Sequence, residues 1–173
     1  MYYGEIKRRD IANGPGVRVA LFVSGCTNAC EDCFNKVTWD FHYGQPFTAQ
    51  TQQEILSLLR PDFVRGFSLL GGEPFEPANQ PTLTALLSCI RRQLPQKDIW
   101  CYTGFVLEQL LTPGSYPHTP VTEEMLSYID VLVDGRYEKE KKNLRLKFRG
   151  SENQRLIDMN ATRKEGTVIT VQE

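Results

Sequence analysis

An α/β fold, in the form of an incomplete, open parallel βα barrel, is what this sequence predicts, on three observations. Short apolar runs of strand length alternate with helical patterns between residues 17 and 135. The alternation amounts to about five βα units, too few to close the eightfold barrel that such units build when complete. The loops after the first two predicted strands carry the two most unusual stretches of the chain, "SGCTNACEDCFNK" and "LLGGEPF". Carboxyl ends of parallel strands are where open α/β sheets bind their ligands.

The elements follow in order. "VRVALFV", residues 17–23, is an apolar run with one charge and leads directly into the first of those loops. "TAQTQQEILSLLRP" reads as a helix, with a capping box at Thr51 and Glu54, an apolar stripe at Ile55, Leu58 and Leu59, and a stop at Pro61. "GFSLLGG" is a strand and turn, and "PTLTALLSCIRRQL" a helix with Pro81 at its start. "DIWCY" is a strand, "GFVLEQLL" a short helix, "TEEMLSYI" a helix with acids in its first turn, and "DVLVDG" a strand ending in a turn. Helices between strands imply right-handed crossovers and a parallel sheet. Beyond residue 140 the pattern fades into the charged "RYEKEKKN", the alternating "LRLKF" of an edge strand, and "GTVITV", a further candidate strand.

Composition narrows the function. With 173 residues, 40% of them hydrophobic, the chain is read as a single domain over 1–173. A net charge of −1 argues against a broad basic surface for nucleic acid or membrane. Met1 is followed by the polar "YYGEIKRRD", and no apolar run approaches the roughly 20 residues of a membrane span. Five cysteines, an odd number, do not suit a disulfide scaffold, so a reducing, cytoplasmic setting is expected.

Three of those cysteines, Cys26, Cys30 and Cys33, form a C-x3-C-x2-C triplet. A closed structural metal site is normally completed by four Cys or His ligands. The remaining candidates are poor. Cys89 lies among helical apolar positions and Cys101 within a strand-like run, where a thiol reads as a small core side chain. His42 and His118 sit in turn-like, solvated surroundings. Sites with fewer protein ligands than coordination positions leave room for something else, and soft thiolates favour zinc or iron–sulfur clusters. On spacing alone a cluster, a zinc knuckle and three reduced thiols all stay open. In the second loop, Gly71-Gly72-Glu73-Pro74 would let the backbone approach a ligand closely, although taken alone it is also an ordinary turn.

Together the two loops resemble the radical S-adenosylmethionine superfamily, and within it the activating proteins of anaerobic ribonucleoside-triphosphate reductases. The likeness covers most of the chain, through "DIANGPGVRVALFVSGCTNACEDCFNKVTW", "GQPFT", "LLGGEPFEPAN", "KDIWCYTGF", "DVLVDGRY" and "FRGSENQR". Two departures stand out. Asp32 occupies the place before the third cysteine where the superfamily usually has an aromatic residue, with Phe34 after it, a displacement that the activating proteins share. Leu70 stands where a serine commonly precedes the glycines.

The resemblance implies a [4Fe–4S] cluster on Cys26, Cys30 and Cys33, its fourth iron chelated by S-adenosylmethionine. It implies reductive cleavage of that cofactor and formation of a glycyl radical on the large reductase subunit, with a flavodoxin-like or similar one-electron reductant as second partner. Carried over by residue, Asp32, Cys33 and Phe34 lie against the adenine, and Gly71, Gly72 and Glu73 meet the methionyl amino group. Thr103 and Asp134 reach ribose or carboxylate, or else cap turns. Asn13-Gly14-Pro15-Gly16 is structural or lines a channel; residues 149–155 contact the reductase or form a solvated loop. Two rivals remain: a radical enzyme acting on a small, pterin-like substrate, and a non-catalytic three-cysteine metal or electron-transfer module.

Overall fold

The computed structural model describes residues 1–171. Seven strands form one open sheet: β1 (Tyr2–Asp10), β2 (Val17–Val23), β3 (Gln45–Pro46), β4 (Val64–Gly71), β5 (Asp98–Tyr102), β6 (Val131–Asp134) and β7 (Arg155–Asp158). Their order is β3-β1-β2-β4-β5-β6-β7. Five helices accompany them: α1 (Ala49–Leu59), α2 (Gln80–Gln93), α3 (Leu107–Leu111), α4 (Thr122–Ser127) and α5 (Met159–Glu165).

The parallel part is smaller than the alternation suggests. Only β2, β4, β5 and β6 run parallel, while β1 and β3 join one flank antiparallel and β7 the other. The sheet is mixed and unclosed, and a barrel in the full sense is not formed. Polar β1, "YYGEIKRRD", was invisible to an apolar-run criterion because its charged residues Glu5, Lys7, Arg8 and Arg9 are exposed and interrupt any apolar run. "LRLKF" forms turns rather than an edge strand, and "GTVITV" contributes only the isolated bridge of Thr170 to Ile157. The last strand falls instead at the end of "RGSENQR", continuing into Leu156–Asp158. The capping box of α1 also sits one turn earlier than expected, between Thr48 and Thr51, since Thr51 points back at the cap rather than forming it.

Period-two alternation sorts the strands onto two faces. Val19, Leu21 and Val23 of β2, Phe67 and Leu69 of β4, Ile99 and Cys101 of β5 and Leu132 of β6 pack in one core with Ile55, Leu83, Leu87, Met125 and Met159 from the helices. The opposite face carries Ala20, Phe22 and Leu70 beside Tyr102, and Trp100 with Val133 and Leu156. Arg18 lies over the Trp100 ring and is fully buried, paired with Asp98 Oδ1 at 2.6 Å and bonded to Ser68 Oγ at 2.7 Å. Asn13–Gly16 serves this end of the sheet: the Asn13 carbonyl accepts from Ser68 Oγ at 2.5 Å and the Pro15 carbonyl from Arg18 Nη1. That places the N-G-P-G turn at the amino end of the parallel strands, away from the cysteines that follow Val23.

Candidate iron–sulfur site

β2 delivers the chain into a loop that closes on itself. Gly25 N–H donates to the Thr38 carbonyl at 2.8 Å and Cys26 N–H to the Trp39 carbonyl at 3.3 Å, so the two ends of the cysteine loop are pinned together. All three loop thiols are partly exposed and unpaired. Ala29 and Asp32 adopt left-handed φ values of 48° and 55°. Such turns bring successive N–H groups to one side. The amides of Asn28 and Ala29 face the Cys26 sulfur, that of Tyr137 faces Cys30, and Asn35 N–H donates to Cys33 Sγ at 3.4 Å. Burial nonetheless pushes the Cys26 thiol up to about 11 and lifts Cys30 as well. Loading a metal here therefore releases protons, because thiolates are the ligating species.

The loop after β4 runs along this one and is joined to it through the backbone. Gly72 N–H donates to the Val23 carbonyl at 2.7 Å and Glu73 N–H to the Gly25 carbonyl at 2.8 Å. A Cβ on Gly72 would lie 2.6 Å from that Gly25 oxygen and 2.8 Å from the Thr38 oxygen. Gly71, at φ 116°, is pressed equally hard against Val23 N. The close approach that the glycines permit is thus first of all to the end of β2, for Gly71, and to the cysteine loop, for Gly72.

Side chains continue the junction at three-residue spacing through successive turns. Buried Glu73 accepts from Asn28 Nδ2 at 2.8 Å, Thr103 Oγ1 at 2.7 Å, Phe75 N–H at 2.9 Å and Gly104 N–H at 2.7 Å. Burial raises its carboxyl to about 7 against the pull of those donors. Buried Glu76 accepts from Thr27 N–H and Thr27 Oγ1, each at 2.6 Å, and from the Tyr116 hydroxyl at 2.6 Å. Asn79 Nδ2 donates to the Ser24 and Glu73 carbonyls.

With these contacts the predicted site residues divide. Cys26, Cys30, Cys33, Asp32 and Phe34 share one loop, and Gly71, Gly72 and Glu73 abut it. Asp32 is exposed and pairs with Lys139 Nζ at 2.9 Å, which holds its carboxyl below the usual range; Phe34 is 84% exposed. Thr103 is spent on Glu73 and on Phe105 N–H, the turn-capping alternative. Asp134 is fully buried, with both oxygens on Arg155 and one also on Leu107 N–H, so its carboxylate braces β6 against β7 and the start of α3. Cys101 is buried in the core, whereas Cys89 is half-buried and accepts from Arg92 Nη2 and Gln52 Nε2. His42 is exposed, and His118 Nδ1 is tied to the Leu110 carbonyl at 2.8 Å.

The comparisons with known proteins fit this geometry. The family described as "4Fe-4S single cluster domain" matches residues 12–157, which takes in both loops. The anaerobic ribonucleoside-triphosphate reductase-activating protein of enterobacteria phage T4 is 42% identical over 156 residues, covering 90% of this chain and 93% of that protein. Its namesakes in Escherichia coli K12 and Pasteurella multocida are 40% and 38% identical, over 89% of this chain and 96% and 95% of theirs. The chain belongs to the anaerobic ribonucleoside-triphosphate reductase-activating protein family.

The donor set suits the group the family description names. Three soft donors on one loop, each with a backbone N–H directed at its sulfur, match the thiolate ligation and N–H···S hydrogen bonding that tune iron–sulfur clusters. Among the described residues no group of three or more His, Cys, Asp or Glu side chains is arranged to hold a single metal ion. Sequence reading missed Thr27, Asn28, Glu76, Asn79 and Tyr116. The available signal was the E-x-x-E-x-x-N spacing of Glu73, Glu76 and Asn79 directly after the glycines.

Proposed function

We propose that the protein activates an anaerobic ribonucleoside-triphosphate reductase by reductive cleavage of S-adenosylmethionine at a [4Fe–4S] cluster on Cys26, Cys30 and Cys33. The observation that carries the reading is the three-thiol loop at the carboxyl end of a parallel strand, with no fourth cysteine beside it among the described residues, in a chain similar over nine-tenths of its length to proteins of that name. When bound on Cys26, Cys30 and Cys33, cluster and cofactor would supply the chemistry: one-electron reductive cleavage of S-adenosylmethionine to methionine and 5′-deoxyadenosine, with the hydrogen atom drawn from a glycine of the reductase.

This chain's residues bind and shelter. The N–H groups of the cysteine loop stabilise negative charge on the sulfurs. Phe34, 84% exposed, and Val37, 55% exposed, offer apolar surface beside the thiols for a nucleoside ring or a partner loop to cover. Gly71, Gly72 and the Glu73 backbone form the wall facing the methionyl end. The sheet does not close on itself, and a glycine-bearing loop of the reductase would complete the enclosure and exclude water.

The test is anaerobic. Reconstituted protein, reductase, a one-electron reductant and S-adenosylmethionine should give a glycine-centred radical signal and 5′-deoxyadenosine, with neither product when the cofactor is omitted. A peptide carrying the target glycine should substitute poorly, because it must also be ordered on binding. One zinc and no sulfide per chain would overturn the reading in favour of a metal module, and 5′-deoxyadenosine released with a small substrate alone would favour a pterin-type enzyme.

A further inference from the structure

Beyond the three cysteines, the loop that carries them is held by a second set of residues. Glu76 is fully buried and its hydrogen-bond donors are neutral: its carboxylate takes two donors from Thr27 on one oxygen and the Tyr116 hydroxyl on the other. Burying a carboxylate is costly, and short charge-assisted hydrogen bonds are what offset it. All three donors come from elsewhere in the fold, two from the residue following Cys26 and one from the connection between α3 and α4. Glu73 fixes the next residue, Asn28, and Asn79 fixes Ser24. Between them these three side chains grip positions on both sides of Cys26. The amides of Asn28 and Ala29, which face the Cys26 sulfur, belong to the segment so gripped.

We infer that Glu76 is a positioning residue of the cluster: through Thr27, with Tyr116 behind it, it sets the conformation of the Cys26–Cys30 turn and so the hold of Cys26 on iron. The inference rests on the cluster assignment above. Outer partners of metal ligands typically change metal affinity by 10–100-fold when removed. Because Glu76 sits two bonds' worth of contacts away from the sulfur, the lower end applies.

The experiment uses the reconstituted full-length protein and reads iron loss to a chelator, the midpoint potential of the cluster and the melting temperature of the cluster-free protein. Glu76→Gln keeps the shape and removes the charge. It should lose iron roughly tenfold faster than wild type and show a raised midpoint potential, since a nearby negative charge that disfavours reduction has gone. Thr27→Val, which removes one of the two Thr27 donors and leaves the charge, should lose iron faster at nearly unchanged potential; Thr27→Ser should behave as wild type in both. A purely structural role would lower the melting temperature in proportion and leave the potential alone. Wild-type iron retention and potential in Glu76→Gln overturn the inference; should that variant not fold, wild-type retention in Thr27→Val does so. A wild-type protein that takes up no cluster overturns the cluster reading itself, a result distinguishable from indifferent variants of a loaded protein.

Discussion

Replacing Gly72 by Ala adds one methyl group at the junction of the two loops, and its cost can be worked from the contacts it meets. Gly72 does not require a left-handed backbone, so no conformational penalty is involved and the effect is steric. The new Cβ falls 2.6 Å from the Gly25 oxygen, 2.8 Å from the Thr38 oxygen and 3.0 Å from the Gly25 carbon. All three are backbone atoms, so no side chain can swing away. The Gly25 oxygen must retreat by at least about 0.4 Å, and it already accepts from Glu73 N–H at 2.8 Å, while Gly25 N–H donates to that same Thr38 oxygen. Overpacking of this kind costs about 1–3 kcal/mol. For a domain of this size each kcal/mol lowers the melting temperature by roughly 2–4 °C, so calorimetry of the cluster-free Gly72→Ala protein should show a fall of about 2–12 °C. Because the displaced atoms open the cysteine loop, iron and sulfide recovered after anaerobic reconstitution should fall too, and affinity for S-adenosylmethionine with them. A variant that melts with wild type and loads a full cluster while binding the cofactor weakly would refute the reasoning, because the glycine would then serve the ligand rather than the loop.

Four further outcomes follow from the structure. Ala at Cys26, Cys30 or Cys33 should abolish a cluster of about four irons and four sulfides per chain, while Cys89→Ala and Cys101→Ala keep it; equal loss in either of the latter pair would overturn the three-ligand assignment. Glu73→Gln would turn an amide NH2 or leave a lost acceptor toward donors on both sides, costing about 1–3 kcal/mol for each group left unpaired, seen as a lowered denaturation midpoint. Since burial raises the folded-state carboxyl of Glu73 to about 7 from an ordinary 4.5, its contribution is fully present below about pH 4.5 and is lost as pH rises toward 7, a slope that chemical denaturation of cluster-free Glu73→Gln should lack. Tyr102→Phe removes a buried hydroxyl that has no partner among the described residues, so stability should be unchanged or slightly higher, and a loss above about 1 kcal/mol would reveal a bond the structure does not show.

Much of the fold was legible because β2, β4 and β5 are apolar runs, the last two of them bounded by clear helices, each readable within a few residues. β1 was not, since its nine residues interleave charge with half-buried Tyr3 and Ile6 and gain their strand character only by pairing with β2. The triplet of cysteines and the pair of glycines were equally legible, being local in sequence. Thr103 and Asp134 show the limit of arguing from strand ends. Thr103 directly follows β5 and Asp134 ends β6, yet a strand end says where a residue stands and not which partner its side chain has already taken.

The unread part of the site lies in contacts that span the chain. Thr27 and Glu76 are 49 positions apart, Asn28 and Glu73 are 45, and no periodicity or spacing rule joins residues at such separations. What connects them is the parallel register of β2 with β4, which sets Val23 opposite Gly71 and so starts both loops from neighbouring points. From there the geometry follows without further instruction: turns of three residues after Gly72 bring Glu73, Glu76 and Asn79 to the side where the cysteine loop begins. The glycines then allow the two backbones to close, and the acids that follow lock them. Two buried acidic side chains beside the cysteine loop are costly for folding, and that cost is consistent with a loop whose shape must persist when its thiols release their protons on binding metal.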